Sequence, residues 1–233
     1  MTIIQKLREH LFHLRARFSD VYGVRVYSQE GEDMVLRRIF DGKREGFFVD
    51  VGAHHPSRFS NTQYFYRRGW RGINIEPNPD AISVFQRCRK SDVNLQYGVA
   101  ETQGVLKYYR FDEPALNSFD AALVQDRLDN TSYKVIDTIL VPVRRLDEIL
   151  SEHLPAGQHI DFLTIDVEGL DFEVLKSNNW SLYRPSCVLV EALESSLDDA
   201  ANNELYKFMK ENGYTLFAKT FNTWIFRAVL RAA

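Results

Sequence analysis

Two carboxylates stand close together after an apolar run, in the segment IDFLTIDVEGLDFEVL, residues 160–175. Residues 163–165 are strand-like, so Asp166 should emerge at the carboxyl end of that strand and Glu168 on the following loop. Adjacent carboxylates repel unless they share a proton or bind a cation, which predicts a site role for this pair. Glu191 ends another apolar run and should lie beside Asp166 on a neighbouring parallel strand. Three oxygen ligands of this kind would suit Mg²⁺ or Mn²⁺.

A second group able to move protons is the histidine pair His54 and His55, which follows the apolar run 46–51. An imidazole acts as a base near neutral pH, so at least one of the two is predicted to be catalytic or to bind the acceptor. Only one can face the acceptor in an extended backbone, because neighbouring side chains point in opposite directions. His55 and Pro56 would then shape the turn. Asn61 is either a ligand contact or the amino-terminal cap of a helix over 62–68.

These groups must be positioned by an alternation of short strands and helices, which is typical of βαβ units on a largely parallel sheet. Strands are predicted over 46–51, 72–75, 93–97, 105–109, 139–142, 162–165, 187–191, 214–218 and 223–226. Helices are predicted over 31–40, 62–68, 79–89, 145–150, 171–177 and 203–212. The last two strands are separated only by KTFN, which indicates a hairpin that adds an antiparallel strand.

The strand over 46–51 is predicted to be central, with its carboxyl end at the ligand site. Gly52 would leave room for a ligand to approach, and Glu76, just after the next strand, could accept hydrogen bonds from both hydroxyls of a ribose. A dinucleotide fingerprint needs G-x-G-x-x-G to seat a pyrophosphate at a helix amino terminus. Here one glycine is followed by His54-His55-Pro56. A nucleoside without phosphate, S-adenosylmethionine, therefore fits better than NAD.

The bulk composition is that of an ordinary soluble globular chain, with 233 residues, 45% hydrophobic and 26% charged. The net charge of -3 predicts no nucleic-acid partner, which would need a basic stripe. Two cysteines, Cys88 and Cys187, are too few for a disulfide framework and indicate a reducing, cytoplasmic setting. No run approaches the roughly 20 apolar residues of a membrane span, and no signal peptide is visible.

Residues 1–25 are predicted to form an amphipathic helical extension ahead of a single domain over 26–233. Basic residues occupy one face of this helix. On the other face apolar residues recur at spacings of three and four: Ile3, Ile4, Leu7, Leu11, Leu14 and Phe18. Such a helix covers its own domain, mediates homo-oligomer formation or lies on an anionic membrane surface. The polar segment 112–137 is predicted to be an insertion or lid over the site.

Three longer segments occur together in this order: YSQEGEDMVLRRIF, FVDVGAHHPSRFSNTQYFYRRGWRGINIEPNP and IDFLTIDVEGLDFEVL. They resemble the FkbM-type class I methyltransferases over about residues 27–226. The resemblance implies a Rossmann-like α/β fold, with a mostly parallel seven-stranded sheet, one antiparallel strand and helices on both faces. It also implies S-adenosylmethionine as cofactor and O-methylation, often of a sugar hydroxyl.

Many members of that family carry D-V-G-A-N-x-G at the first turn, where this sequence has the H-H-P form. That form is similar to members found among polysaccharide and nucleotide-sugar modifying enzymes, which implies a saccharide or nucleotide-sugar acceptor. The resemblance implies cofactor contacts along the following residues: Asp50, Gly52 and Ala53 at the methionine part, Glu76 and Pro77 at the ribose, Val99 and Ala100 at the adenine, and Gln29 and Glu32 above. Gln29 and Glu32 belong to a stretch that could instead simply start a helix.

Three other classes of protein remain open at this stage. A NAD-dependent oxidoreductase would use the same sheet but needs a phosphate seat. A metal-dependent hydrolase would use the two histidines with Asp166 and Glu168, and it would leave Glu76 without a role. A non-catalytic scaffold would recruit a partner through its amino-terminal helix. The leading hypothesis is an S-adenosylmethionine-dependent O-methyltransferase.

Overall fold

The computed structural model describes residues 2–18, 23–193, 196–198 and 200–229. Its strands are β1 (Phe47–Val51), β2 (Arg71–Ile75), β3 (Val93–Leu95), β4 (Gly98–Val99), β5 (Gly104–Phe111), β6 (Val135–Arg144), β7 (Phe162–Ile165), β8 (Cys187–Glu191), β9 (Tyr214–Lys219) and β10 (Thr223–Ala228). Its α-helices are α1 (Ile3–Phe18), α2 (Glu32–Ile39), α3 (Gln63–Tyr66), α4 (Pro79–Cys88), α5 (Ala121–Asn130), α6 (Leu146–His153), α7 (Asp171–Lys176) and α8 (Glu204–Glu211).

The central sheet has seven strands in the order β3-β2-β1-β7-β8-β10-β9. The first five run parallel, and β10 is antiparallel to both of its neighbours. β1 therefore lies in the middle of the parallel part, between β2 and β7. This order confirms the predicted α/β fold with one antiparallel strand, and it brings the carboxyl ends of β1, β2, β7 and β8 to one edge of the sheet.

Both faces of the sheet are buried, because alternate residues of each strand enter two different cores. On one face Val49, Val51 and Ile165 pack with residues of α6, α7 and α8. On the other face Phe48 and Phe162 pack with residues of α2 and α3. Burial on both sides explains why these strands appear in the sequence as continuous apolar runs rather than alternating ones.

A second, three-stranded sheet, β4-β6-β5, lies outside the central one. Its long ribbon pairs Gly104 with Val143 and continues to Phe111 with Val135, so both strands exceed their predicted lengths. β4 and α5 are absent from the prediction. A two-residue strand is too short to show a periodic pattern. The helix α5 begins at a polar cap: Asp120 Oδ1 accepts from the backbone N–H groups of Ala122 at 2.8 Å and Leu123 at 3.2 Å.

The amino-terminal helix α1 leaves its apolar stripe uncovered. Ile3, Ile4, Leu7 and Leu11 are all more than half exposed, which does not fit a helix that covers its own domain at these positions. Side chains beyond Leu11 in α1 lie outside the described residues. No helix in the described part of the chain is long and apolar enough to cross a bilayer. The division of the chain near residue 25 stays a prediction.

Candidate active site

A deep cleft opens at the carboxyl edge of the parallel strands and encloses about 890 Å³, counted out to its mouth. The lining comes from the segments after β1, β2 and β7, from β4, and from the polar segment that precedes α5. Its acidic members are Asp50, Glu76, Asp166 and Glu168, and no lysine or arginine is among the described residues that line it.

The end of β1 is fixed by a buried chain of hydrogen bonds. Thr62 Oγ1 donates to Asp50 Oδ2 at 2.9 Å, and Arg89 donates to Thr62 Oγ1 at 3.1 Å and to the Pro56 carbonyl at 2.6 Å. Arg89 is fully buried and lies 3.6 Å from Asp92. Burial raises the pKa of Asp50 to about 6, against the lowering effect of the Thr62 hydroxyl. The network holds Asp50 and the loop after β1 in one position.

Gly52 is needed where two strand ends approach each other. Its φ is +79°, and a Cβ at this position would lie 1.7 Å from the backbone carbonyl oxygen of Asp166. The glycine therefore lets the ends of β1 and β7 approach each other. It also lines the cleft, and its role of leaving room for a ligand stays a prediction. The backbone nearby confirms the close approach, since Asp166 N–H donates to the Val51 carbonyl at 3.0 Å.

Glu76 follows β2 and is only 4% exposed, yet it lines the cleft. Its Oε2 accepts from the backbone N–H of His54 at 2.7 Å and its Oε1 from that of Asn78 at 2.8 Å. Burial raises the pKa of Glu76 from 4.5 to about 7, because desolvation outweighs these two hydrogen bonds. Each oxygen keeps a further lone pair for a donor in the cleft.

The raised pKa values make the stability of the ligand-free protein depend on pH. Glu76 binds its proton more tightly when folded, so its stabilising effect is complete below about pH 4.5 and lost as pH rises through about 7. We expect the free energy of unfolding to fall by roughly 2–3 kcal/mol between pH 5 and 8 from Glu76 alone. Asp50 and Asp171, both raised to about 6, add to the fall.

Urea unfolding at several pH values measures this dependence. Glu76→Gln should flatten the slope by the amount assigned to Glu76. An unchanged slope in that variant would contradict the assignment.

Asp166, Glu168 and Glu191 converge, as the sequence predicts. Each offers one carboxylate oxygen, and these atoms lie within 4.8 Å of one another. Desolvation in the cleft, followed by Glu191 and Glu168, raises the pKa of Asp166 well above its usual range. Glu168 has a cationic partner that the sequence did not reveal, because Arg127 of α5 forms an ion pair with it. The Glu168 backbone, at φ +55°, is held by Ser118 Oγ, which donates to its carbonyl at 2.7 Å.

The two histidines differ in their surroundings. The His54 ring lines the cleft, lies over the Phe59 ring and has a buried Nε2 with no partner in the described part of the chain. Burial, and then Arg58, lowers the pKa of His54 to about 4, so the ring is neutral near pH 7. His55 lies outside the cleft lining. Its Nδ1 accepts from the backbone N–H groups of Ser57 at 3.1 Å and Arg58 at 3.0 Å, which stabilises the turn.

Most of the other predicted site residues come together at this cleft, and their ligand roles stay predictions. The residues that line it are Gln29, Asp50, Gly52, Ala53, His54, Asn61, Glu76, Pro77, Val99, Asp166 and Glu168. Glu32 and Glu191 line an adjoining smaller cleft instead. Ala100 and His55 line neither. Asn61 does not cap α3; its amide donates to Thr164 Oγ1 at 2.9 Å.

The roof of the cleft contains residues that the sequence analysis did not single out. Gly98 enters from β4, Tyr97 from the position just before it, and Tyr108 from β5, with the Tyr108 ring 4.7 Å from that of Phe119. Phe119 and Asn117 belong to the segment predicted as a lid, and a Cβ on Gly98 would lie 2.7 Å from the Phe119 ring. The polar character of 112–137 was the only signal. Its role as a lid stays a prediction.

A bidentate ion pair ties this roof to the loop after β1. Arg58 Nη1 lies 3.0 Å from Glu113 Oε1, and Nη2 lies 3.2 Å from Glu113 Oε2. Parallel hydrogen bonds of this type fix orientation as well as distance. The two chain segments that face each other across the cleft mouth are therefore joined at their outer ends.

Comparison with known proteins bears on this arrangement. Residues 50–216, more than half of the chain, match the family described as the methyltransferase FkbM domain. The chain belongs to the FkbM methyltransferase family. Among curated proteins, no sequence matches it. The family assignment agrees with the resemblance seen in the sequence.

Two solved structures are similar to this FkbM-family chain. The methyltransferase FkbM from Methylobacillus flagellatus KT is 16% identical, with a TM-score of 0.51 over 86% of this chain and 48% of that one. This chain therefore spans about half the length of that protein. A TehB-like SAM-dependent methyltransferase from Corynebacterium glutamicum ATCC 13032 Kitasato is 10% identical, with a TM-score of 0.42, and the match covers 96% of this chain and 100% of that one. At 16% identity, the first likeness concerns the fold alone.

Proposed function

We propose that this FkbM-family methyltransferase transfers a methyl group from S-adenosylmethionine to a hydroxyl of a saccharide. The observation that carries the proposal is the buried Glu76 carboxylate, which faces a cleft without a lysine or arginine among its described lining residues. A carboxylate in this position accepts hydrogen bonds from the two hydroxyls of a ribose. The acidic walls favour a positively charged sulfur and disfavour phosphate groups.

The backbone after β1 also favours this ligand over NAD. A pyrophosphate needs a helix amino terminus directly behind it, but the next helix, α3, begins only at Gln63. The intervening residues form an irregular loop that is anchored by Arg89. Asp50, Ala53 and Val99 line the same cleft and would hold the remainder of the cofactor.

When bound, S-adenosylmethionine supplies an electrophilic methyl group, so the protein must align the acceptor hydroxyl and remove its proton. Alignment contributes several kcal/mol in such reactions. Asp166 is the proposed proton acceptor, because it is open to the cleft and its raised pKa makes it a stronger base than an aspartate of ordinary pKa. His54, with a pKa near 4, is a weak base and is proposed to position the acceptor.

A divalent cation is the other device for acidifying the hydroxyl. Its geometric support is the approach of the Asp166, Glu168 and Glu191 oxygens to within 4.8 Å of one another. Glu168, however, already has the Arg127 guanidinium as its positive partner. We therefore place the carboxylate base ahead of Mg²⁺ or Mn²⁺ in the proposed mechanism.

Titration calorimetry with S-adenosylhomocysteine tests the proposal. Wild-type protein should bind it, and Glu76→Gln should bind it about 10- to 150-fold more weakly, because a hydrogen bond to a charged group contributes about 1.5–3 kcal/mol. Wild-type protein should bind the 2′-deoxy analogue more weakly than S-adenosylhomocysteine itself. The Glu76→Gln variant should bind the two compounds almost equally. Glu211→Gln, at the exposed end of α8, is the matched control.

Binding of NAD in place of the adenosyl ligand would contradict the proposal. Equal loss of affinity for the 2′-deoxy analogue in wild type and variant would contradict the role of Glu76.

The saccharide acceptor has weaker support, from the half-exposed Phe59 ring and the amides of Gln29 and Asn61 at the cleft. A ring can pack on the apolar face of a sugar, and amides can bind its hydroxyls. We also propose a cytoplasmic setting, because the two cysteines, Cys88 and Cys187, are free thiols. Self-association of the chain is proposed as well, through the exposed apolar residues of α1.

A further inference from the structure

A smaller cleft of about 300 Å³ adjoins the one described above. The two clefts share Gln29, Phe59, Asn61 and Asp166. The remaining walls of the smaller cleft come from Glu30, Glu32, Glu191, Asn222 and Thr223. A molecule in the smaller cleft would therefore reach the proposed base, Asp166, from beside the adenosyl site. We call this smaller space the acceptor cleft.

The acceptor cleft carries four carboxylates and, within the described part of the chain, no basic side chain. Two of the four have partners in the protein. Glu30 Oε2 accepts from the Asn222 backbone N–H at 2.7 Å. The Thr220 hydroxyl lies 3.0 Å from Glu30 Oε2 and 2.7 Å from Glu32 Oε1, and it donates its single proton to one of them at a time. These bonds explain the positions of Glu30 and Glu32 without a ligand.

Glu191 is different, because its Oε2 is buried and has no hydrogen-bond partner among the described residues. Buried polar atoms in proteins are usually satisfied, so an orphan oxygen beside a cleft points to a donor that binds there. The nearest guanidinium, that of Arg127, is paired with Glu168. No ion pair to Glu191 or Asp166 forms within the described part of the chain, so a cationic group of a ligand would compensate their charge.

We propose that the acceptor cleft binds an acceptor that carries an ammonium group close to the methylated hydroxyl, as an amino sugar does. The inference rests on the proposed methyltransferase function and narrows its substrate class. A nucleotide sugar would bring a diphosphate close to four carboxylates with no compensating cation. Like charges placed together across an interface oppose binding strongly. Phe59, 40% exposed, offers a ring for the apolar face of the sugar.

The experiment uses NMR titration to measure the binding of three probes to the full chain. The protein is saturated with S-adenosylhomocysteine, and the buffer contains excess chelator. The probes are glucosamine, N-acetylglucosamine and UDP-N-acetylglucosamine. Glucosamine should bind at least about tenfold more tightly than the other two. Glu191→Gln should weaken glucosamine about tenfold, with little effect on N-acetylglucosamine or on the adenosyl ligand, while Glu211→Gln should match the wild type.

Each other outcome would overturn the inference. UDP-N-acetylglucosamine binding as well as glucosamine would show an anionic acceptor, and binding of none of the probes would show that the cleft is not built for such sugars. Glucosamine binding that requires Mg²⁺ or Mn²⁺ would assign the positive charge to a metal. A wild-type protein that does not bind S-adenosylhomocysteine would instead refute the underlying function, and this readout is independent of the sugar probes.

Discussion

Asp166→Asn is expected to lower kcat by about 10²–10⁴-fold, the range typical of the loss of a positioned general base. Affinity for S-adenosylhomocysteine should change little, because that ligand has no charge on sulfur for the carboxylate to attract. The wild-type rate should also rise with pH as Asp166 loses its proton, since its pKa is raised. The variant should lack that rise. Initial rates with labelled methyl donor and the fastest acceptor of a sugar panel measure both effects.

Glu168→Gln provides the matched comparison, because it removes the same charge from the same wall. Arg127 already holds Glu168, so kcat should fall much less than in the Asp166 variant. The unpaired arginine, whose side chain is 11% exposed, should instead lower stability. An Asp166 variant within tenfold of wild type, or a larger effect at Glu168, would assign the proton transfer elsewhere.

Gly52→Ala is expected to destabilise the fold by about 2–5 kcal/mol. An added Cβ would lie 1.7 Å from the Asp166 carbonyl oxygen, which is backbone and cannot rotate away. Relief requires the ends of β1 and β7 to separate beside the buried side chains of Val51 and Ile165, and overpacking alone costs about 1–3 kcal/mol. The left-handed backbone at φ +79° adds about 1–2 kcal/mol for any residue with a Cβ.

Gly157→Ala is the control for the backbone term. Gly157 has a similar φ of +74°, but nothing lies within 4 Å of its added Cβ. Urea unfolding should therefore show a loss of only about 1–2 kcal/mol for this variant. Equal losses for the two variants would mean that β1 and β7 do not approach as closely as described.

The parts of the site that the sequence predicts are those on central strands. β1, β2, β7 and β8 are largely apolar runs buried on both faces. The end of each run could therefore be read from the sequence. The acidic residues at these ends are Asp50, Glu76, Asp166 and Glu191. Parallel pairing then forces those ends to one edge of the sheet. A second requirement for Gly52 was not predicted, since a close approach of two backbones leaves no pattern in a single sequence.

The parts that could not be predicted depend on long-range partners. Arg89 and Arg127 would ordinarily be assigned to solvent, yet Arg89 is fully buried against the loop after β1. Arg127 pairs with a residue 41 positions away in the chain. The elements β4 and α5 were also not predicted, because β4 has two residues and α5 has few apolar positions. Each of these depends on tertiary contacts that override local preference.

The turn between β9 and β10 has a consequence for how this enzyme could diversify. Asn222 and Thr223 form a wall of the acceptor cleft but do not touch the adenosyl cleft, and the same turn holds Glu30 through Thr220. Under the proposed function, exchanges in this turn would alter which molecules the acceptor cleft admits, while the residues of the adenosyl cleft stay unchanged. Relatives with different acceptors would then differ in one loop, and such exchanges would leave methyl transfer intact.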